Sequence, residues 1–104
     1  MRAARLVLSD ASVADILEQG DWCVDQSGET LAKRWEKAVT KAVLSVVSRP
    51  TSGAPCTFQS PELHGVRRVA ISGFPKHLLF YRFDGEAIFI LRVVHGARDL
   101  ERLF

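Results

Sequence analysis

The chain has 104 residues, 47% of them hydrophobic, with 14 Lys and Arg against 12 Asp and Glu. That length supports a single domain, 1–104, with one core and no room for a separate cofactor domain. The apolar content excludes a disordered chain, and a net charge of +2 does not by itself mark a nucleic-acid-binding surface. The charge is unevenly divided. Residues 1–64 carry seven Lys/Arg and eight Asp/Glu, whereas residues 65–104 carry seven and four. A basic second part suits an acidic partner, either nucleic acid or an acidic peptide, although a solvated basic face is the plainer account.

Cys23 and Cys56 lack the spacing of a metal-binding pair and suit reduced thiols. The N-terminus is basic, but only Leu6-Val7-Leu8 follows before Ser9, too short for a secretory apolar region. No stretch reaches the length of a membrane span. A cytoplasmic protein without membrane association is expected.

In chain order, Arg5 to Leu8 reads as a first strand. Ser9 to Ser12 supplies helix-start chemistry, and Ser12 with Asp15 resembles a capping box in which Asp replaces Glu. Val13, Ile16, Leu17 and Gly20 mark one face of a helix that ends between Gly20 and Gln26. Ser27-Gly28-Glu29 restarts the pattern. Leu31, Trp35, Val39, Ala42, Val43, Val46 and Val47 then recur at steps of three and four, the clearest helical period in the chain. Lys33, Arg34, Glu36, Lys37 and Lys41 fill the opposite face. Arg49-Pro50 ends this helix, because a residue before proline is driven out of the α region.

Residues 50–65 hold three of the four prolines and read as a long loop, with a short turn near Pro61 to Leu63. Val66 to Ser72 is a strand, and Gly73-Phe74-Pro75 the turn after it. Lys76 to Phe83 and Glu86 to His95 form a hairpin about Asp84-Gly85, a dipeptide that favours positive φ. A two-residue turn there pairs Phe83 with Glu86, sets Arg82 opposite Ala87, and sets Arg92 opposite Lys76 or Pro75. Ala97 to Phe104 is either a short terminal helix or an irregular tail. The order is β-α-α-β-β-β, an α+β arrangement in which two helices cover one face of a mainly antiparallel sheet.

The strand Leu78-Leu79-Phe80-Tyr81-Arg82-Phe83, the Asp84-Gly85 turn, and the run Ile90-Leu91-Arg92-Val93-Val94-His95-Gly96-Ala97-Arg98-Asp99 together resemble the ParE branch of the RelE/ParE toxins. These toxins belong to bacterial toxin–antitoxin pairs. The motif-grade match lies in residues 66–100, and the first 65 residues match in architecture and length. The resemblance implies an α+β, RelE/ParE-like fold: an N-terminal strand, a helical hairpin, then a curled, mainly antiparallel sheet with a short C-terminal segment. It also implies a toxin neutralised by a cognate antitoxin, forming a hetero-oligomer that reaches operator DNA only through the antitoxin. ParE-type toxins act on DNA gyrase, whereas RelE-type toxins cut messenger RNA on the ribosome. Fold alone does not separate these activities.

Metal-free RNA cleavage needs cations on the scissile phosphate and groups that move protons. On the RelE pattern, Leu78 stands where that branch carries Arg, and Phe104 stands at its C-terminal Tyr position. The nuclease set is therefore incomplete. His95 is either an acid–base group beside Arg98 or a strand-end residue bonded to backbone or Asp99. His64 and His77 read as isolated surface or loop residues. Arg82 and Arg92 suit structural salt bridges, or the reception of an antitoxin carboxylate.

The resulting expectation is a ParE-like gyrase inhibitor rather than an enzyme, without cofactor or metal. Arg92, His95, Arg98 and Arg102 would contact the target. Trp35, Val39 and Arg82 would contact the antitoxin, on the surface of the helix over 29–48 and the sheet face beside it. Most of the aromatic residues, Trp22, Trp35, Phe80, Tyr81, Phe83 and Phe89, are expected in the core. The alternative is a ribosome-dependent nuclease in which His95 and Arg98 are catalytic. A third reading is a non-toxic member that only binds an antitoxin and co-represses its operon.

Overall fold

A computed structural model describes residues 4–96 and 104. The elements are β1 (Arg5–Leu8), α1 (Asp10–Ser48), β2 (Ala54–Pro55), a 3-10 turn (Pro61–Leu63), β3 (Val66–Ile71), β4 (Phe74–Phe83) and β5 (Ala87–His95). The five strands form one sheet in the order β1-β5-β4-β3-β2. β1 runs parallel to β5, and the other neighbours are antiparallel. The α+β fold follows the expected order with one strand added. No helix among the described residues is long and apolar enough to cross a membrane.

α1 begins earlier than a capping box at Ser12 would place it. Ser9 is the N-cap, with its hydroxyl accepting from the Ser12 N–H at 3.0 Å. The Ser12 hydroxyl donates back to the Ser9 carbonyl at 2.8 Å. Asp15, freed from capping, points to the sheet instead.

The helix is broken at Gly28, whose φ of 77° and ψ of −170° lie outside the helical region. Glycine adopts positive φ without a Cβ penalty, so the break falls there and not between Gly20 and Gln26. The two arms fold back on each other. The Trp35 indole N–H donates to the Ile16 carbonyl at 3.1 Å. In a straight helix those residues would lie roughly 28 Å apart. The expected helical hairpin is therefore present, with its bend inside what hydrogen bonding reads as one element.

The second arm buries the residues its periodicity marked: Trp35, Val39, Val43 and Val46. It ends at Arg49, whose N–H donates to the Ser45 carbonyl at 2.9 Å before Pro50. The first arm differs from expectation. Ser12 and Cys23 are buried and Ile16 is partly so, while Val13 and Leu17 face outward. Trp22 is also exposed, at 53%, against its expected place in the core. The arms cover one sheet face, where Ile71, Leu79, Tyr81, Ile88, Ile90 and Val93 complete the core.

The stretch expected as loop contains β2, paired as Ala54↔Arg68 and Pro55↔Arg67. Tyr81 holds this stretch. Its buried hydroxyl donates to the Pro50 carbonyl at 2.8 Å and accepts from the Gly53 N–H at 2.9 Å. A Cβ at Gly53 would lie 2.6 Å from that hydroxyl, so only glycine fits. The 3-10 turn at Pro61–Leu63 occupies the expected position.

The β3–β4 turn is Ser72-Gly73, tighter than expected, with Phe74 already paired to Ile71. The register then jumps from Ile71↔Phe74 to Ala70↔Leu78. Pro75, which has no N–H to give a ladder, falls within the unpaired stretch.

Replacing Tyr81 by Phe will leave the Pro50 carbonyl and the Gly53 N–H without their partner. The expected loss is about 1–3 kcal/mol. Urea unfolding of the two proteins measures it, and equal midpoints would refute the clamp.

Candidate functional site

The β4–β5 hairpin carries most of the residues singled out from sequence, and its register differs from expectation. Asp84 closes the strands, its N–H donating to the Ala87 carbonyl at 3.2 Å. Its carboxylate accepts from the N–H groups of Glu86 and Ala87 at 2.9 and 2.8 Å. Those backbone bonds, Ala87 first, hold the Asp84 carboxyl below its usual range. The loop is therefore Gly85-Glu86, with positive φ at Gly85 alone. Phe83 pairs with Ile88 and Arg82 with Phe89, correcting the pairs with Glu86 and Ala87.

A second shift follows. Tyr81 pairs with Ile90 but Phe80 with Arg92, so Leu91 is an extra, bulged residue on β5. Arg92 consequently lies opposite Phe80 and not opposite Lys76 or Pro75. Arg82 and Arg92 are still not cross-strand partners, as expected.

Beyond the bulge, the start of α1 lies against β5. Ser9 donates through its N–H to the Ile90 carbonyl at 3.0 Å and through its hydroxyl to the Leu91 carbonyl at 2.8 Å. Asp15 takes Arg92 in a fork, with Nε at 2.7 Å and Nη2 at 2.8 Å, and also accepts the Val93 N–H at 3.0 Å. Both side chains are largely buried. The hydrogen bonds to Asp15 push the Arg92 guanidinium further up from its already high value. Arg92, expected at a target surface, thus ties the first helical arm to β5.

Arg82 forms no salt bridge among the described residues. Its Nη2 donates to the Glu62 carbonyl, and its buried Nε has no hydrogen-bond partner. Trp35 and Val39, expected at an antitoxin surface, are 1% and 5% exposed and belong to the protein's own core. The helical period marks inward residues, and that inward face is closed by the sheet.

His77 is not the isolated residue expected. It lies directly opposite His95, with ring centroids 5.5 Å apart. The Trp35 ring stands edge-on to it at 5.2 Å, with Phe74 at 6.4 Å. Burial, and secondarily the charge on His95, lower the His77 pKa below its ordinary value. This pair is on the helix-covered face, with Leu79 and Tyr81.

The opposite face carries Phe80, fully buried beneath two other rings. Phe58 lies 6.2 Å and Phe104 5.6 Å from it, and Phe58 and Phe104 are 5.6 Å apart. The chain's last residue therefore returns to the sheet on the side away from His95. Arg98 and Arg102 lie outside the described residues, as does Asp99. His64 is exposed and caps the 3-10 turn, in line with its sequence reading.

A model of the family described as "ParE toxin of type II toxin-antitoxin system, parDE" matches residues 6–100. The chain belongs to the ParE toxin family. The match spans β1 from Leu6 onward, both arms of the helix and all of β2 to β5. Two solved structures share the ParE-like fold. A protein of the "Chromosomal ParDE TA system from P. aeruginosa" superposes with a TM-score of 0.73 at 22% identity, covering 89% of this chain and 96% of that one. A "YoeB/ParE toxin from Agrobacterium tumefaciens" gives 0.53 at 13% identity, covering 88% and 96%. No protein of curated function matches the sequence.

The Asp15–Arg92 fork supplies a prediction about this ParE fold. Asp15→Ala leaves a guanidinium and a backbone N–H without their acceptor, and should cost roughly 3 kcal/mol. The double replacement Asp15→Leu with Arg92→Met should cost less than Asp15→Ala alone, because no charge is stranded. Chemical denaturation of both variants reads the difference. A double variant worse than the single would sink this account.

Proposed function

We propose that this toxin inhibits DNA gyrase in the cytoplasm and is held inactive by a cognate antitoxin. Toxin and antitoxin form a hetero-oligomer, which reaches operator DNA through the antitoxin alone. The observation that carries the reading is the ParE family match over residues 6–100. Target contact is assigned to the end of β5 and the segment after it, through His95, Arg98 and Arg102. Arg92 supports that end from within, held by Asp15.

The nuclease reading has less support. It needs an acid–base group and cations gathered on one surface. His95 faces the helix layer beside His77, whereas the C-terminal Phe104 packs on Phe80 across the sheet. Phe104 also brings no hydroxyl.

The antitoxin is assigned to the outer side of the second helical arm and the adjoining edge of the sheet. A shallow hollow of about 510 Å³ there is lined by Lys33, Glu36, Lys37, Thr40, Lys41 and Leu44. Leu44 is 60% exposed. Three lysines beside a bare leucine suit a segment that alternates acidic and apolar side chains. Leu44→Asp should weaken antitoxin binding at least about tenfold without altering the fold, as loss of an apolar anchor does. Calorimetric titration with the antitoxin measures it, and unchanged affinity would move the contact elsewhere.

The gyrase reading is tested with purified gyrase, relaxed plasmid and ATP, adding the toxin with and without antitoxin. Lost supercoiling or trapped cleaved DNA, reversed by the antitoxin, is expected. Unimpaired supercoiling by a toxin that still arrests growth would overturn the reading, and cleavage of ribosome-bound messenger RNA would then identify the target.

A further inference from the structure

We propose that His77 and His95 form a two-imidazole site for a divalent transition-metal ion, copper or zinc, that clips the ends of β4 and β5 together. The proposal does not depend on the gyrase reading. It begins with register. His77 and His95 are direct cross-strand partners in an antiparallel pair, so their side chains leave the same face at the same level. Two imidazoles bound to one tetrahedral ion, each at about 2.0–2.1 Å, place their ring centres roughly 5 Å apart. The observed separation is 5.5 Å. The ring planes stand 79° apart, so the rings must turn about their side-chain torsions to aim one nitrogen each at a shared ion.

The surroundings on one side are apolar. Trp35 and Phe74 wall the site on the side of the helical arms. Apolar walls keep competing water from that side and strengthen the ion's bonds to nitrogen. His95 has a further interaction besides its contact with His77. No third His, Cys, Asp or Glu completes a cluster among the described residues. The remaining positions on the ion are therefore assigned to water.

The site lies where the chain leaves the sheet. The Gly96 N–H donates to the Lys76 carbonyl at 2.7 Å, the last bond between the two strand ends. An ion across His77 and His95 would close the hairpin one residue before that point. The ligand class is borderline divalent ions that accept nitrogen donors, with copper(II) the tightest by the general order of stabilities.

The test uses the untagged full chain, stripped with EDTA, and CuCl2, NiCl2 or ZnCl2 as probes. Isothermal titration should show one ion per chain, with copper bound most tightly. His77→Gln and His95→Gln should each weaken binding at least about tenfold, since loss of a ligand costs no less than loss of a supporting residue. His64→Gln, at an exposed position away from the pair, should leave binding unchanged. Where a Gln variant does not fold, the intact protein decides through its imidazole NMR resonances. Substoichiometric copper should broaden those of His77 and His95 and spare His64. No binding by the intact chain, binding that survives His77→Gln and His95→Gln together, or broadening centred on His64 would each overturn the proposal.

Discussion

β5 is longer than β1, the strand on its outer side, and the rest of the molecule is arranged around that mismatch. β1 ends at Leu8, opposite Ile90, so five residues of β5 continue with no strand on that side among the described residues. Buried backbone groups need partners, and an open edge is a liability. The helix supplies the partners. Ser9 takes the carbonyls of Ile90 and Leu91, and Asp15 takes the Val93 N–H together with the Arg92 guanidinium. The bulge at Leu91 is part of the same solution, because it offers the Leu91 carbonyl to Ser9. Helix start, strand extension and ion pair are thus one device, and they set where β5 ends.

Trp35 carries the consequence across the molecule. Its indole N–H closes the two helical arms at Ile16, and its ring rests on Phe74 and His77 of β4. The hairpin of helices is held by this packing rather than by helical propensity, which a 39-residue element interrupted at Gly28 could not supply alone. The aromatic contact also places the histidine pair under the helices.

Most of the fold was legible in the sequence because its signals are local. The second arm's period, the stop at Arg49-Pro50, the 3-10 turn and the three central strands all arise from neighbouring residues. What was not legible depends on distant partners. Asp15 satisfies the spacing of a capping box, yet its partner is 77 residues away in Arg92. β2 is two residues long and exists only because β3 lies beside it. The site suffered most. Asp84 displaced the turn by one residue through its side chain, and Leu91 added one residue to β5. With either event missed, His77 does not face His95. Trp35 and Val39 show the converse error: a strong apolar period identifies what is buried, and a partner surface must be sought among exposed residues such as Leu44.

The two sheet faces divide the molecule's chemistry. The helix-covered face holds the histidine pair and the charged fork lies at its edge, whereas the other face gathers Phe58, Phe80 and Phe104. A scaffold shared at 13–22% identity with two solved structures fixes topology, not target. In this chain the described sheet ends at His95 and is held by Asp15, Trp35 and Tyr81. The Gly96–Lys76 hydrogen bond marks that boundary. Among the described residues beyond it, Phe104 packs back on the sheet through the rings of Phe58 and Phe80.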